Sequence, residues 1–301
     1  MREPNETIVY TCPYVPAEWI AAHGFRPQRL VPTSGKAEDA PAPAEGVCPY
    51  VRGFVAEVAD GRNVAAVIVT TVCDQMRRAF DLLSMQCTAP AFLLNVPSTW
   101  QTVAAQRLYI DELKRMGRFL VRLGGAAPDK DQLARIMLAS EDTGSAADAR
   151  AGRAEGIPVA VVGGPLMQRD QILFDIIADS GGCVVLDATE TGQRGRRGPF
   201  DRRTLADDPL MELARAYFEI PDASRRPNSN LYLWLKRQIG DSGARGIVLH
   251  HYVWCDTWRA EFARLKEWTD LPVLELDSDG HDATDRARVQ NRIRAFVEML
   301  Q

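Results

Sequence analysis

The 301-residue chain contains no Cys-x-x-Cys pair, no apolar run of 18 residues and only four histidines. The first absence removes the short paired thiols on which structural zinc sites and thioredoxin-type redox motifs are built. The second removes a membrane-spanning helix. The opening stretch Met1-Arg2-Glu3-Pro4-Asn5-Glu6 has none of the apolar core that a signal peptide needs, so a cytoplasmic protein is expected. A net charge of −4, from 36 basic and 40 acidic residues, gives no surplus of cations for gripping a phosphate backbone. Neither nucleic acid nor membrane is therefore an expected partner, although local basic patches are compatible with the balance. In a reducing compartment, six thiols scattered this widely serve as buried apolar residues, catalytic groups or metal ligands more often than as disulfides.

What the chain does contain is a steady alternation of β-branched runs with amphipathic stretches, which favours an α/β fold on parallel sheets. Its length passes the about 250–300 residues at which one core stops growing. Two domains are expected, residues 1–125 and 157–301, joined by a linker with a short helix over 126–156. In the first half the strands are Thr7–Tyr10, Val64–Val72 and Ala91–Val96, with helices over Ala17–Ala22, Tyr50–Val58, Gln75–Ser84 and Thr102–Leu123. Thr33–Gly46, mostly Ala, Pro, Glu and Asp, reads as a flexible surface loop. In the second half the strands are Pro158–Gly163, Cys183–Asp187, the run ending at Cys255, and Val273–Leu276. Helices are predicted over Gln168–Asp179, Leu210–Phe218, Leu231–Ser242, Thr257–Trp268 and Thr284–Leu300, and a short one over Lys130–Ala139 in the linker. One unit recurs: Val64–Val72 delivers Cys73-Asp74 to a helix, and Gly246–Trp254 delivers Cys255-Asp256 to another. The carboxyl ends of parallel strands line the ligand crevice of an open sheet, so these two thiols are candidates to face one another across a cleft.

Position sorts the cysteines. Cys183 inside a strand and Cys87 in a helix-to-strand connection read as small buried hydrophobes. Cys48, Cys73 and Cys255 each stand at a helix start, where backbone N–H groups and the helix dipole favour the thiolate, the species that binds metals. Cys12, before Pro13 on the first loop, is a candidate fourth. Four-ligand zinc lacks its usual spacing here; soft thiolates also suit iron–sulfur clusters, and three ligands to a four-iron cube leave one iron open to substrate or water. Plain packing is the alternative for all of them. The turn Gly163-Gly164-Pro165, after a strand and before a helix, either offers N–H groups to an anion or is simply a bend. Arg194 lies in the cationic loop Thr191–Gly198, continued by Arg202 and Arg203, which meets ligand phosphates, a partner's face or only water. His250, next to His251 on the strand leading to Cys255, is either a proton donor in the cleft or a satisfied core histidine. Asp74 and Asp256 complement their helix dipoles.

Several of these segments run in order along the chain: Thr11-Cys12-Pro13-Tyr14-Val15-Pro16-Ala17-Glu18, Cys48-Pro49-Tyr50-Val51-Arg52, Thr70-Thr71-Val72-Cys73-Asp74-Gln75, Asn95-Val96-Pro97, Gly163-Gly164-Pro165-Leu166, Gly181-Gly182-Cys183-Val184-Val185 and Cys255-Asp256. Together they resemble the 2-hydroxyacyl-CoA dehydratase D-component family, which includes benzoyl-CoA reductase subunits. The resemblance implies two flavodoxin-like (doubly wound parallel sheet) domains with a [4Fe-4S] cluster between them, bound by Cys48, Cys73 and Cys255. It further implies a low-potential electron received from an ATP-hydrolysing iron–sulfur activator and passed to an acyl-CoA thioester, in reductive or radical dehydration chemistry. A homodimer, or a heterodimer with a similar subunit, follows from the same likeness. Phe54–Asp60 stands where a double-cubane relative has a further Cys-Pro segment, so a single cluster is expected. Catalytic members carry a large helical insertion between the domains, and only Ala126–Gly156 stands there. A non-catalytic iron–sulfur electron-transfer or accessory subunit is the second expectation.

Overall fold

The computed structural model describes residues 6–35, 46–61, 64–143, 155–279 and 283–301. The first half runs β1 (Thr7–Tyr10), α1 (Ala17–Ala22), β2 (Arg26–Arg29), α2 (Pro49–Asp60), β3 (Val64–Thr70), α3 (Asp74–Gln86), β4 (Ala91–Leu94) and α4 (Val103–Arg122). After α5 (Lys130–Thr143) come β5 (Ile157–Gly163), α6 (Ile172–Asp179), β6 (Gly182–Ala188), α7 (Arg202–Asp207), α8 (Pro209–Phe218) and α9 (Ser229–Ser242). The chain closes with β7 (Gly246–Tyr252), α10 (Asp256–Trp268), β8 (Val273–Ser278) and α11 (Ala283–Met299). Each half forms a four-stranded sheet, in the orders β2-β1-β3-β4 and β6-β5-β7-β8, and all pairings are parallel. These are two α/β, flavodoxin-like sheets with one topology. Helices cover both faces of a parallel sheet, which is why the central strands are apolar runs without alternation; every residue of β7 is buried. No helix among the described residues is long and apolar enough to cross a membrane.

The topology fixes where chemistry can be placed. In each sheet the chain steps from the first strand to one side, then returns across it, so the order reverses between β1 and β3 and again between β5 and β7. Ligand crevices open at such reversals, beyond the carboxyl ends of the strands. The segments that leave those ends begin with Thr11-Cys12, Thr71-Val72-Cys73, Gly164-Pro165 and Val253-Trp254-Cys255.

The two halves share apolar packing. The cluster that holds Ile8, Tyr109 and Leu113 also holds Leu133 and Met137 of α5, together with Phe200, Leu205, Leu213 and Phe218. Tyr109 donates to the Tyr14 carbonyl (2.6 Å), and Tyr14 donates to the carbonyl of Ile220 (2.7 Å). Glu18 of α1 accepts from Tyr217 of α8 (2.6 Å) and pairs with Arg197 (2.9 Å). The helix expected over Lys130–Ala139 thus runs on to Thr143, 14 residues in all, and packs through Leu133 and Met137. Two elements escape the sequence pattern: β2, an edge strand of Arg, Pro, Gln and Arg, and α7, which Asp201 caps by accepting from the backbone N–H groups of Arg203 and Thr204. The stretch Gln168–Gln171 forms a 3-10 turn ahead of α6. Residues 36–45 and 144–154, which hold most of the expected surface loop and much of the expected linker, lie outside the described residues.

Candidate functional site

Three thiols occupy the N-cap positions of three helices. Cys48 caps α2 with Pro49 in the first turn, Cys73 caps α3, and Cys255 caps α10. The loop carrying Cys48 is tied to α3 by one side chain: Gln75 accepts from the Cys48 N–H (2.8 Å) and donates to the Gly46 carbonyl (3.2 Å). Cys73 Sγ accepts from the Met76 N–H at 3.4 Å. Cys255 belongs to the other half, and its strand reaches across: Tyr252 packs in the apolar cluster of Cys48 and Tyr50, its ring 6.3 Å from that of Tyr50. Tyr252 is fixed there by donating to Asp170 (2.6 Å) and accepting from the Met167 N–H (2.9 Å). Trp254, just before Cys255, holds a left-handed backbone (φ 67°) and an exposed ring. Such a conformation costs a non-glycine residue about 1–3 kcal/mol, so the turn presenting Cys255 is held under strain by its surroundings.

The thiols lie close enough to act on one another. A charge on Cys48 disfavours ionisation of Cys73, and charges on Cys48 and Cys73 disfavour that of Cys255. Burial is the larger influence on each: it pushes Cys48 up to about 11, Cys73 up to about 12, and Cys255 further. Backbone N–H groups of the first helical turns pull the other way, but desolvation outweighs them. The dipole argument made from sequence therefore has the right sign and the smaller magnitude. Cys12 is buried too, and after burial the strongest influences on it are Glu190 and Thr70. Cys183 is buried in β6 and Cys87 caps the carboxyl end of α3, both in packing roles.

The anion candidates resolve differently. A Cβ on Gly163 would stand 2.0 Å from the His250 carbonyl oxygen, at a φ of 154°, because β5 and β7 close together there. Gly164 packs on Trp258, where an added Cβ would come within 3.2 Å of the indole. Both glycines are explained by close packing. Arg194 is corrected from exposed cation to buried clamp, with no exposed surface. Its guanidinium donates to the carbonyls of Ala188 (3.1 Å), Pro221 (2.9 Å) and Gly163 (2.9 Å) and pairs with Asp222 at 2.6 Å. Arg197 is likewise committed, to Glu18 and Ser140. His250 is a buried, neutral imidazole, its pKa lowered to about 3 by desolvation and by His251, and it rests edge-on against Tyr252 at 5.0 Å. The ring is therefore neutral, not an imidazolium, near neutral pH.

Glu190 was not singled out from sequence, yet it sits at the seam. It follows β6 directly, a strand-end position that the crevice rule points to. Arg29 of the first half donates to its backbone carbonyl (3.2 Å) and lies 3.6 Å from its carboxylate. Desolvation raises the Glu190 carboxyl to about 7 against the opposing pull of Arg29, and its charge reaches Cys12, Cys73 and Tyr50. Two cavities lie along the same seam. The larger, about 550 Å³, is bordered by Tyr10, Arg29, Arg197 and Tyr217 and touches none of the three N-cap thiols. The smaller, about 250 Å³, is bordered by Cys73 itself, with Arg77, Ser224, Arg225, Arg226 and Thr257.

No group of three or more His, Cys, Asp or Glu side chains among the described residues is gathered as the ligands of a metal ion. Tetrahedral thiolates around one ion at 2.3 Å stand only about 3.8 Å apart. Ligands of a cube bind separate irons and stand farther apart.

Two solved structures of the SBP FpvC from Pseudomonas aeruginosa, one in complex with Mn²⁺ and one with Ni²⁺, align with the whole of this chain. The alignments cover 99% and 97% of those chains at 12% and 11% identity, each with a TM-score of 0.28. Similarity that loose carries no argument about function. Comparison with curated protein sequences finds no match. The profile of the family described as 2-hydroxyglutaryl-CoA dehydratase, D-component, matches residues 12–148 and 139–300, segments that contain all three N-cap thiols. On that match, together with the repeated doubly wound topology, the chain belongs to the 2-hydroxyglutaryl-CoA dehydratase D-component family.

Proposed function

We propose that this protein holds a [4Fe-4S] cluster through Cys48, Cys73 and Cys255, and uses it in low-potential electron transfer to a substrate at the seam between the halves. The observation that carries the reading is the convergence of three N-cap thiols, Cys48 buried and Cys73 and Cys255 partly so, each within electrostatic reach of another, in a chain of this family. The donor set suits the group: thiolates are soft ligands, and no imidazole is needed. When bound, the cluster would supply one-electron chemistry and an open iron position. The chain's own part is to supply the thiolates and shield them. The Met76 N–H donates to the Cys73 sulfur, Gln75 fixes the Cys48 loop, and Cys48 is buried while Cys73 and Cys255 keep part of their surface. Because burial holds the free thiols protonated, loading releases protons and strengthens as pH rises.

On this reading the electron donor is an ATP-dependent iron–sulfur activator, the substrate an acyl-CoA thioester, and the working form a dimer with itself or a similar subunit. Anaerobic purification with iron and acid-labile sulfide analysis tests the cluster. About four of each per chain are expected, retained in Cys183→Ala and lost in Cys73→Ser and Cys255→Ser. A chain that takes up neither iron nor sulfide on reconstitution rejects the proposal.

A second reading, a non-catalytic electron-transfer or accessory subunit, is favoured by the size of the space next to Cys73. At about 250 Å³ it is smaller than the roughly 300–1,000 Å³ of sites for drug-sized ligands, and a CoA thioester is larger than those. A change in the visible or EPR spectrum on adding an acyl-CoA thioester supports the enzyme; an unchanged spectrum supports the accessory role.

A further inference from the structure

We infer that the 250 Å³ cavity beside Cys73 is a binding site for a compact oxyanion, a small carboxylate or a phosphate, gripped by Arg225 and Arg226. That its occupant is a substrate rests on the cluster reading above; that the cavity binds an oxyanion does not.

The charge count is the first argument. The lining holds three arginines against one carboxylate, Asp74, which is already paired with Arg77 at 2.8 Å. In a chain of net charge −4, that local excess runs against the average. Arg225 is almost wholly buried, and its guanidinium donates to two carbonyls, Pro97 (2.6 Å) and Phe218 (3.0 Å), while lying over the Phe218 ring at 4.1 Å. The nearby carboxylate of Asp222 is bonded to Arg194 instead. Arg226 also donates to carbonyls, those of Ala223 and Arg225. Among the described residues neither arginine forms an ion pair. A buried cation whose hydrogen bonds all go to neutral groups is costly, and desolvation lowers the pKa of Arg225 against the opposing pull of Tyr14, Asp222 and Tyr109. A bound anion would offset that cost.

Geometry is the second argument. The arginines are held by the seam itself: the Arg226 N–H donates to the Ser98 carbonyl (2.8 Å), Thr99 and Arg226 form a parallel bridge, and Trp100 donates to the Pro227 carbonyl (2.7 Å). Two 13-residue helices, α3 and α10, begin at the cavity, adding main-chain N–H groups and the positive ends of their dipoles. The Ser224 hydroxyl oxygen is buried without a hydrogen-bond partner among the described residues, although its residue borders the cavity. Buried polar groups of this kind are normally satisfied, so the orphan marks a place for a ligand atom or ordered water. The volume restricts the occupant to a few heavy atoms.

The test is isothermal titration calorimetry of the full anaerobically purified chain with inorganic phosphate and with acetate. At least one is expected to bind with a dissociation constant of about 1 mM or tighter, and the tighter of the two tells a phosphorylated from a carboxylic occupant. Arg226 is exposed, so Arg226→Gln is expected to keep the fold while weakening binding about tenfold, about 1.4 kcal/mol. Arg226→Lys should restore part of it. Failure of both anions to bind at about 20 mM, or binding that Arg226→Gln leaves within about twofold, overturns the inference. Iron and sulfide are measured on the same samples. Anion binding without iron condemns the cluster alone, and a normal cluster without anion binding condemns the anion site alone.

Discussion

Replacing Glu190 by Gln should change how stability depends on pH, because its carboxyl is raised from the ordinary 4.5 to about 7 in the folded chain. Below pH 4.5 the group is protonated whether the chain is folded or not, and it contributes no pH dependence. Between 4.5 and about 7 the unfolded chain has released the proton while the folded chain still holds it, so stability falls as pH rises. Above about 7 both forms are ionised and the loss is complete. An interval of 2.5 in pH, at about 1.36 kcal/mol each, sets a loss on the order of 3 kcal/mol. The carboxyl is 17% exposed and faces Arg29, so water and that cation reduce the figure rather than enlarge it. Glu190→Gln removes the titration and keeps the shape. Urea unfolding of iron-free wild type and variant at intervals from pH 4 to 8 isolates the term, since every other carboxylate cancels in the difference. The variant should gain on the wild type through the window and hold its advantage above it. A difference that stays flat, or that moves the opposite way, would show that Arg29 rather than desolvation governs Glu190.

Arg194→Met should cost about 3–5 kcal/mol in urea unfolding, because it leaves the Asp222 carboxylate and three carbonyls without their buried partner. A loss below about 1 kcal/mol would return Arg194 to the class of dispensable surface cations. Gly163→Ala should cost more than about 3 kcal/mol or prevent folding, since its Cβ has no room against the His250 carbonyl. Gly240→Ala in α9, where nothing lies within 4 Å, is the control and should stabilise by about 0.5–1 kcal/mol. Equal thermal stabilities for the two variants would contradict the close approach of β5 and β7.

The sheets were legible because parallel central strands are buried on both faces and are largely apolar runs, as in Val64–Thr70 and in Gly246–Leu249 ahead of His250 and His251. The edge strand β2 was not, because four polar residues including Pro27 pair through main-chain groups alone and carry no pattern. Cys48, Cys73 and Cys255 stood out because a strand end or loop followed by a helix start is a local signal. Glu190 and the pair Arg225-Arg226 gave no such signal: what makes them notable is the loop of the other half that each one meets. Arg194 misled for the same reason, since its partner Asp222 lies 28 residues away in sequence.

The shared packing of α8 on the first sheet also has a bearing on synthesis. A ribosome emits α4 about 100 residues ahead of α8, roughly 5 to 20 seconds at ordinary elongation rates. Through that interval the apolar face that awaits Leu213 and Phe218 has no cover, and the Tyr14 hydroxyl lacks the Ile220 carbonyl. The first half thus completes its apolar core only once its late-arriving helix has been made.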